Sequence, residues 1–273
     1  MCEFCASHGG KTRWYLNPEN YSETLLEDKK RMKILYNISG YGIDYYLERT
    51  TRLGKLANLP VVGGVFRKIA NWMSPGMHSG QVVTTEEAIK VLELADNVCI
   101  LECMCRRLVH AEKKAVCINF GPIKELFEML KPSERIEVRP IDEVQELVRE
   151  CASQGLYHEV LWAKIPYPVV ICNCQVEYCC AAKLRFLYNI QKSLVKGHFV
   201  SSVTKKCDGC EGESSPICVE KCPFKAMTYN AEEKRAIVNQ QLCFGCGVCK
   251  NLCPKDAIAL IPRESIPAIK HLW

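Results

Sequence analysis

The sequence has 273 residues, 48% of them hydrophobic and 25% charged, with a net charge of +5, enough chain for a real core and two or three compact units. Lysines and arginines are scattered rather than grouped with aromatics, which excludes a nucleic-acid footprint, and no apolar run approaches the ~18 residues of a membrane span. Nineteen cysteines dominate the composition. The start, Met-Cys-Glu-Phe-Cys-Ala-Ser-His, lacks the basic-then-apolar order of a secretory leader. The thiols are therefore read as reduced and free to hold metal, in a cytoplasmic, anaerobic setting.

The chain opens with Cys2-x2-Cys5-x2-His8. One Cys-x2-Cys supplies half a tetrahedral shell, so Cys2 and Cys5 are either ordinary thiols or part of a metal site completed from elsewhere. A c-type haem is excluded, since His must directly follow the second Cys. Tyr21 to Ser39 reads as an amphipathic helix through Leu25, Leu26, Met32, Leu35 and Tyr36, broken at Gly40 and Gly42. A second helical pattern runs from Ile43 to Leu59 before Pro60. Val61 to Met73 is the most apolar piece. It reads as a short buried or docking helix, the alternative being contact with a membrane or a membrane-bound partner.

From Val82 helices and strands alternate. Thr84-x-x-Glu87 is a capping box, and Ala88, Val91, Leu92 and Ala95 form one face of its helix. Val98 to Arg107 reads as a strand, Pro122 to Leu130 as a short helix and Glu137 to Arg139 as a brief strand. Ile141, Val144, Leu147, Val148 and Cys151 line a helix ending at Gly155. Strands over Tyr157 to Ala163 and Val169 to Cys174, then a helix from Cys180 to Leu194, complete an α/β domain.

On strands, Cys103 and Cys105 share a face, as do Cys172 and Cys174. Cys117 follows the first pair; Cys179 and Cys180 follow the second. If those strands are neighbours, four to six thiols meet at one end of the sheet, an inventory that suffices for a cluster or another metal centre. Its expected ligands are Cys103, Cys105, Cys172 and Cys174, with Cys117 or Cys179 as replacements and Cys2 and Cys5 reaching in. Buried thiols or a redox-active dithiol are the alternative. Cys99 and Cys151 read as small buried hydrophobes. Arg106 and Arg107 either bind an anion, or offset thiolate charge, or form an ion-paired strand end. His110, His158 and His198 stand isolated and read as structural or exposed. No Walker loop, dinucleotide fingerprint or nucleophile elbow is present.

The densest stretch follows: Cys207-x2-Cys210-x7-Cys218-x3-Cys222-Pro223, then Cys243-x2-Cys246-x2-Cys249-x3-Cys253-Pro254. A cubane needs four thiolates around it, and a Cys-x2-Cys loop wraps three corners before the chain must leave. Pro223 and Pro254 stop a helix from running through that exit. Gly245 and Gly247 sit where the backbone approaches closely. Cys-Pro-Phe-Lys-Ala-Met-Thr-Tyr (222–229) matches Cys-Pro-Lys-Asp-Ala-Ile-Ala-Leu (253–260), a half-unit used twice. Zinc on the Cys-x2-Cys pairs is the general rival, disfavoured by eight thiols with two Cys-Pro endings.

This pattern resembles the bacterial-type ferredoxins with two [4Fe-4S] clusters. The resemblance implies a pseudo-twofold ferredoxin-like domain and an exchange of the fourth ligand between rounds. Cys207, Cys210 and Cys218 would hold cluster I with Cys253; Cys243, Cys246 and Cys249 would hold cluster II with Cys222. The seven residues between Cys210 and Cys218, where two are usual, are similar to ferredoxins with a loop insertion. Either they form a surface loop, or Cys210 or Cys218 is not a ligand. The front region resembles multi-cysteine ferredoxin proteins of anaerobes, through Cys-Met-Cys-Arg-Arg, Gly-Leu-Tyr-His and Ile-Cys-Asn-Cys. That likeness covers roughly residues 80 to 260 and implies a layout, not a reaction.

The expected architecture is α+β: a helical region over 1–80, a Cys-rich α/β domain over 81–200, a two-cluster ferredoxin domain over 201–262 and a tail over 263–273. The expected function is single-electron transfer through two [4Fe-4S] clusters to or from a third Cys-ligated centre. One alternative is a reductase whose central centre acts on a small substrate beside Arg106, Arg107 and Glu102. Another is an accessory protein that delivers a metal or cluster. The partner would be a redox protein, acidic or membrane-associated.

Overall fold

The structure, a computed structural model, describes the chain apart from residues 22–27, 41–42, 96–97, 111, 121–122, 131–134 and 211–214. Leu25, Leu26 and the Gly42 break therefore lie outside the described residues, as does most of the 211–217 insertion.

Seven strands form the central sheet: β1 (His78–Val83), β2 (Cys99–Glu102), β3 (Ala115–Asn119), β4 (Ile136–Glu137), β5 (Tyr157–Ala163), β6 (Pro168–Cys174) and β7 (Leu194–Val195). Their order is β4-β2-β3-β6-β5-β1-β7, antiparallel except where β7 joins β1. Side chains alternate between two covered faces. Val83, Val160, Trp162, Ile118 and Ile171 face Phe4, Trp14 and Tyr15 of the N-terminal segment and the helices Thr85–Leu94 and Ile141–Ser153. Leu101, Leu161 and Ala163 face the other way, against Leu35, Ile123, Leu126 and Phe127. The first eighty residues thus cover the sheet on both sides.

The capping box is formed: Thr84 Oγ1 accepts from the Glu87 amide at 3.1 Å, and Glu87 Oε2 accepts from the Thr84 amide at 2.9 Å. Glu87 is buried, and its other oxygen accepts from Tyr15 Oη at 2.6 Å and pairs with Arg13. One carboxylate therefore ties the N-terminal segment to the helix it caps.

Two expectations need correction. The strand from Val98 stops at Glu102, after a register shift at Leu101/Glu102, and a helix spans Met104–His110. Met, Arg and Leu after Cys103 are good helix formers and take over once pairing with β3 ends. The final helix stops at Tyr188, capped by Asn189 in the left-handed region, before Leu194 enters β7. The apolar piece does form a helix, Gly63–Met73, but it is not buried. Val65, Phe66, Ile69 and Trp72 are exposed, Trp72 at 81%. Among the described residues, no helix is long and apolar enough to cross a membrane.

Beyond Lys196 the chain forms β8 (Phe199–Val203), β9 (Met227–Asn230), β10 (Arg235–Val238) and β11 (Ile258–Pro262), with short helices Ile217–Glu220 and Val248–Leu252. β8 pairs with β11 and β9 with β10, all antiparallel. Each half runs from Cys loop through helix and Cys-Pro to strand, the repeat read from the sequence. Residues 263–273 pack down. Arg263 is fully buried, donating to the carbonyls of Gly197, Phe199 and Cys243, and Ile269 joins the thiol-lined core.

Candidate metal centres

The eight thiols of residues 207–253 are brought together in the C-terminal unit. Cys218, Cys222, Cys243, Cys246 and Cys249 are buried, and Cys207, Cys210 and Cys253 are partly so. They fall into two neighbourhoods that share Cys249. Burial pushes the Cys218 thiol up to about 12, with further repulsion from Cys249, Cys210, Cys207 and Cys253. Burial likewise raises Cys246, with repulsion from Cys249, Cys243 and Cys222. Such crowded thiols ionise only beside a cation, which is what an iron cluster provides.

The backbone is arranged for thiolate sulfur. Cys222 Sγ accepts from the Ala226 amide at 3.2 Å and Cys253 Sγ from the Ala257 amide at 3.3 Å, the same four-residue offset in both halves. Cys243 Sγ accepts from the Gly245 amide at 3.4 Å, and Ser201 Oγ lies 3.1 Å from Cys249 Sγ. Gly245 has φ +73°, and a Cβ there would collide with the Phe199 carbonyl. The donor set and these amides fit two cubanes.

A family model described as "4Fe-4S dicluster domain" matches residues 206–258. The chain is 34% identical over 59 residues to a ferredoxin of Methanothermococcus thermolithotrophicus, covering 97% of that protein and 22% of this chain. The chain belongs to the two-[4Fe-4S] ferredoxin family. It is also similar to a tetrathionate reductase subunit of Archaeoglobus fulgidus, 40% identical over 58 residues, and to the beta subunit of adenylylsulfate reductase of Megalodesulfovibrio gigas, 36% over 58. Each match covers 21% of this chain, and the chain spans only 26% and 35% of those two proteins. No solved structure matches the chain significantly. The matched region, residues 206–258, is a two-[4Fe-4S] dicluster domain, and most of the chain's length lies outside these likenesses.

The central thiols of the ferredoxin also meet. Cys117 on β3 stands directly opposite Cys172 on β6, and Cys172 and Cys174 share a face. Cys103 and Cys105, although not on a strand, reach the same place from the turn and helix after β2. Thiols follow one another as neighbours in the order Cys105, Cys103, Cys117, Cys172, Cys174 and Cys179. All six, with Cys180, line one cavity of about 90 Å³ whose other walls include Leu35, Ile123, Phe127 and Val170.

Glu159 on β5 closes this group. Its Oε1 accepts from Cys179 Sγ at 3.2 Å and from Cys174 Sγ at 3.7 Å, and the three ligand atoms lie within 4.8 Å of one another. Burial pushes the Glu159 carboxyl up to about 7, against the two thiol hydrogen bonds that lower it. Among the described residues, Glu159 Oε2 and His78 Nδ1 are buried without a hydrogen-bond partner, and both residues line the cavity. Soft thiolates, a carboxylate and orphaned polar atoms facing one cavity are the donor chemistry of a metal or cluster site.

Aromatic rings fill the space between this group and the ferredoxin thiols. Phe224 stacks on Phe244 at 4.2 Å and 18°, and Tyr157 lies 5.1 Å from Phe224. These rings share one buried cluster with Cys246 on one side and Cys174 and Cys179 on the other.

Three site expectations change. Cys2 and Cys5 do not join the central thiols. They pack with Trp14, Val83 and Val160, on the sheet face opposite Glu159 and Cys172, and meet His198, whose Nε2 is 3.2 Å from Cys5 Sγ. His198 is therefore not isolated. Arg106 is 2% exposed and engaged, donating to Gln175 Oε1 at 2.8 Å and stacking on Tyr178 at 4.4 Å, so it is no free anion receptor. Cys99 and Cys151 are buried hydrophobes as read. Sequence reasoning missed Glu159 and His78. A lone carboxylate amid the apolar run of β5 was the available signal for the first; His78 carried none.

Proposed function

We propose that the two cubanes of this ferredoxin exchange single electrons with a third, thiol-ligated centre in the central domain. Cys207, Cys210, Cys218 and Cys253 hold cluster I, and Cys243, Cys246, Cys249 and Cys222 hold cluster II. The grouping of repelling thiols and the paired amide-to-sulfur bonds support this assignment. Cys103, Cys105, Cys117, Cys172, Cys174 and Cys179 supply the ligands of the third centre, with Glu159 as the oxygen donor. The unbroken run of six thiols along one cavity is the observation that carries the reading.

The chain's own contribution is to hold and tune. A bound cluster supplies one-electron chemistry. The buried aromatic cluster excludes water between Cys246 and the central thiols, and Ser201, Arg263 and the backbone amides set the charge around cluster II. The relatives named as parts of reductases support a place beside a partner oxidoreductase. We assign that contact to the exposed apolar face of helix Gly63–Met73, whose charged residues, Arg67 and Lys68, are both basic and suit an acidic redox protein.

The cavity supports a second reading, in which the third centre reduces a small apolar substrate between the thiols and the Leu35–Phe127 wall.

A reductive titration of the anaerobically reconstituted protein, followed by electron paramagnetic resonance, tests the main reading. The account expects three reducible centres, one of them lost in Cys172→Ser. Two centres, identical in wild type and variant, would contradict it.

A further inference from the structure

A second constellation of donors lies outside the centres above. Cys2 caps the helix Glu3–His8 and Cys5 stands one turn later, so both face the same side. His198 comes from the connection that leads into β8. Cys2 Sγ lies 3.5 Å from Cys5 Sγ, Cys5 Sγ lies 3.2 Å from His198 Nε2, and all three atoms fall within 4.8 Å of one another. The residues are 1%, 4% and 5% exposed.

We propose that Cys2, Cys5 and His198 bind a single thiophilic divalent cation of the zinc class, which fastens the N-terminal segment to the strand entering the ferredoxin domain. Two thiolates and one imidazole form a borderline-soft set that selects zinc over the hard cations. Three protein donors leave one tetrahedral position to a non-protein ligand. Ligand atoms within 4.8 Å of one another suit one ion, whereas thiols around a cubane are spread more widely, and among the described residues the ferredoxin thiols form no such tight group.

The surroundings are built for sulfur anions. The Trp14 amide donates to Cys5 Sγ at 3.3 Å, and Gln81 Nε2 lies 3.9 Å from Cys2 Sγ. The Gln81 amide cannot turn over. Its Oε1 accepts from Trp14 Nε1 at 2.6 Å while its Nε2 donates to the Lys196 carbonyl at 3.0 Å. The donor end is therefore held toward the thiol, as outer-shell groups do around metal-bound cysteine. The Trp273 ring covers His198 with centroids 4.8 Å apart. The same junction carries Lys192 on Glu3 at 2.7 Å and the terminal amine on Glu264 at 3.5 Å. These exposed pairs contribute little by themselves. The ion is the main fastener.

The test uses the full chain with its iron–sulfur centres reconstituted, equilibrated with one equivalent of zinc and desalted. Elemental analysis and zinc-edge X-ray absorption then read the site. The expected result is about one zinc per chain, with two sulfurs at about 2.3 Å and nitrogen or oxygen at about 2.0–2.1 Å. Cys5→Ser and His198→Gln should each lose that zinc while iron stays unchanged. A four-sulfur zinc shell, zinc retained in both variants, or a metal-free Cys2–Cys5 disulfide two mass units lighter would each overturn the proposal. If a variant fails to fold, the wild-type sulfur-to-nitrogen ratio decides alone.

Discussion

The rings of Tyr157 and Phe224 lie 5.1 Å apart, although one sits on the central sheet and the other follows the first Cys-Pro of the ferredoxin domain. Phe224 in turn stacks on Phe244, between Cys243 and Cys246. The buried path from Cys246 to the central thiols therefore runs through rings that touch, with Cys179 beside Tyr157 at its far end.

Breaking this contact should separate electron transfer from cluster assembly. Phe224→Leu keeps an apolar filler but removes the ring contacts with Tyr157, Phe244 and Phe186. Stopped-flow reduction should then show cluster bleaching at the wild-type rate and slower reduction of the central centre, with iron content unchanged. Equal rates for both phases would remove the rings from the route.

The crossing of ligands between the two rounds has a simple double-variant signature. If Cys207 and Cys253 serve the same cluster, the double Cys→Ser variant keeps about four of the eight ferredoxin irons. Pairing Cys207→Ser with Cys222→Ser should lose nearly all of them. Iron and sulfide analysis of the wild type and the two double variants distinguishes a crossing from a local arrangement, which would give the reverse pattern.

Arg263 places a buried positive charge against the Cys243 carbonyl at 2.9 Å. Positive charge favours the reduced, more negative cluster, so Arg263→Gln should lower the potential of cluster II, and Arg263→Lys should restore part of it. Potentiometry under electron paramagnetic resonance reads the shift. An unchanged potential in Arg263→Gln would show that its three carbonyl bonds are purely structural.

Glu87 is a stability determinant outside both the ferredoxin thiols and the central thiols. Glu87→Ala strips the cap from the helix and leaves Tyr15 and Arg13 without their carboxylate. The expected loss is about 3 kcal/mol, seen as a lower thermal midpoint with both clusters still assembled. A midpoint within experimental error of wild type would refute the role assigned to this network.

What the sequence made legible followed from local spacing. The Cys-Pro repeat, the capping box at Thr84 and the strands read over Tyr157 to Ala163 and Val169 to Cys174 are short-range patterns, and the fold contains each of them. The Cys103–Cys105 pair was placed correctly in space for the wrong local reason. A strand would have aligned the two thiols, but a turn into a helix does so here. Pairing of β3 with β6, which sets Cys117 against Cys172, depends on strand order that no local pattern encodes. The same holds for Cys5 and His198, 193 residues apart. Burial of Arg106 was equally hidden, because its partners Gln175 and Tyr178 arrive from the far end of β6.

Iron and acid-labile sulfide, counted per chain in anaerobically reconstituted protein, test the third centre most directly, with Cys103→Ser/Cys172→Ser as the comparison. For a cluster at the central site the account predicts about twelve irons in wild type and about eight in the variant. Eight irons plus another metal that the variant loses would keep the site with a different ion. About eight irons in both, and no other metal lost, would contradict the central claim and leave a plain two-cluster ferredoxin with a cavity lined by buried thiols.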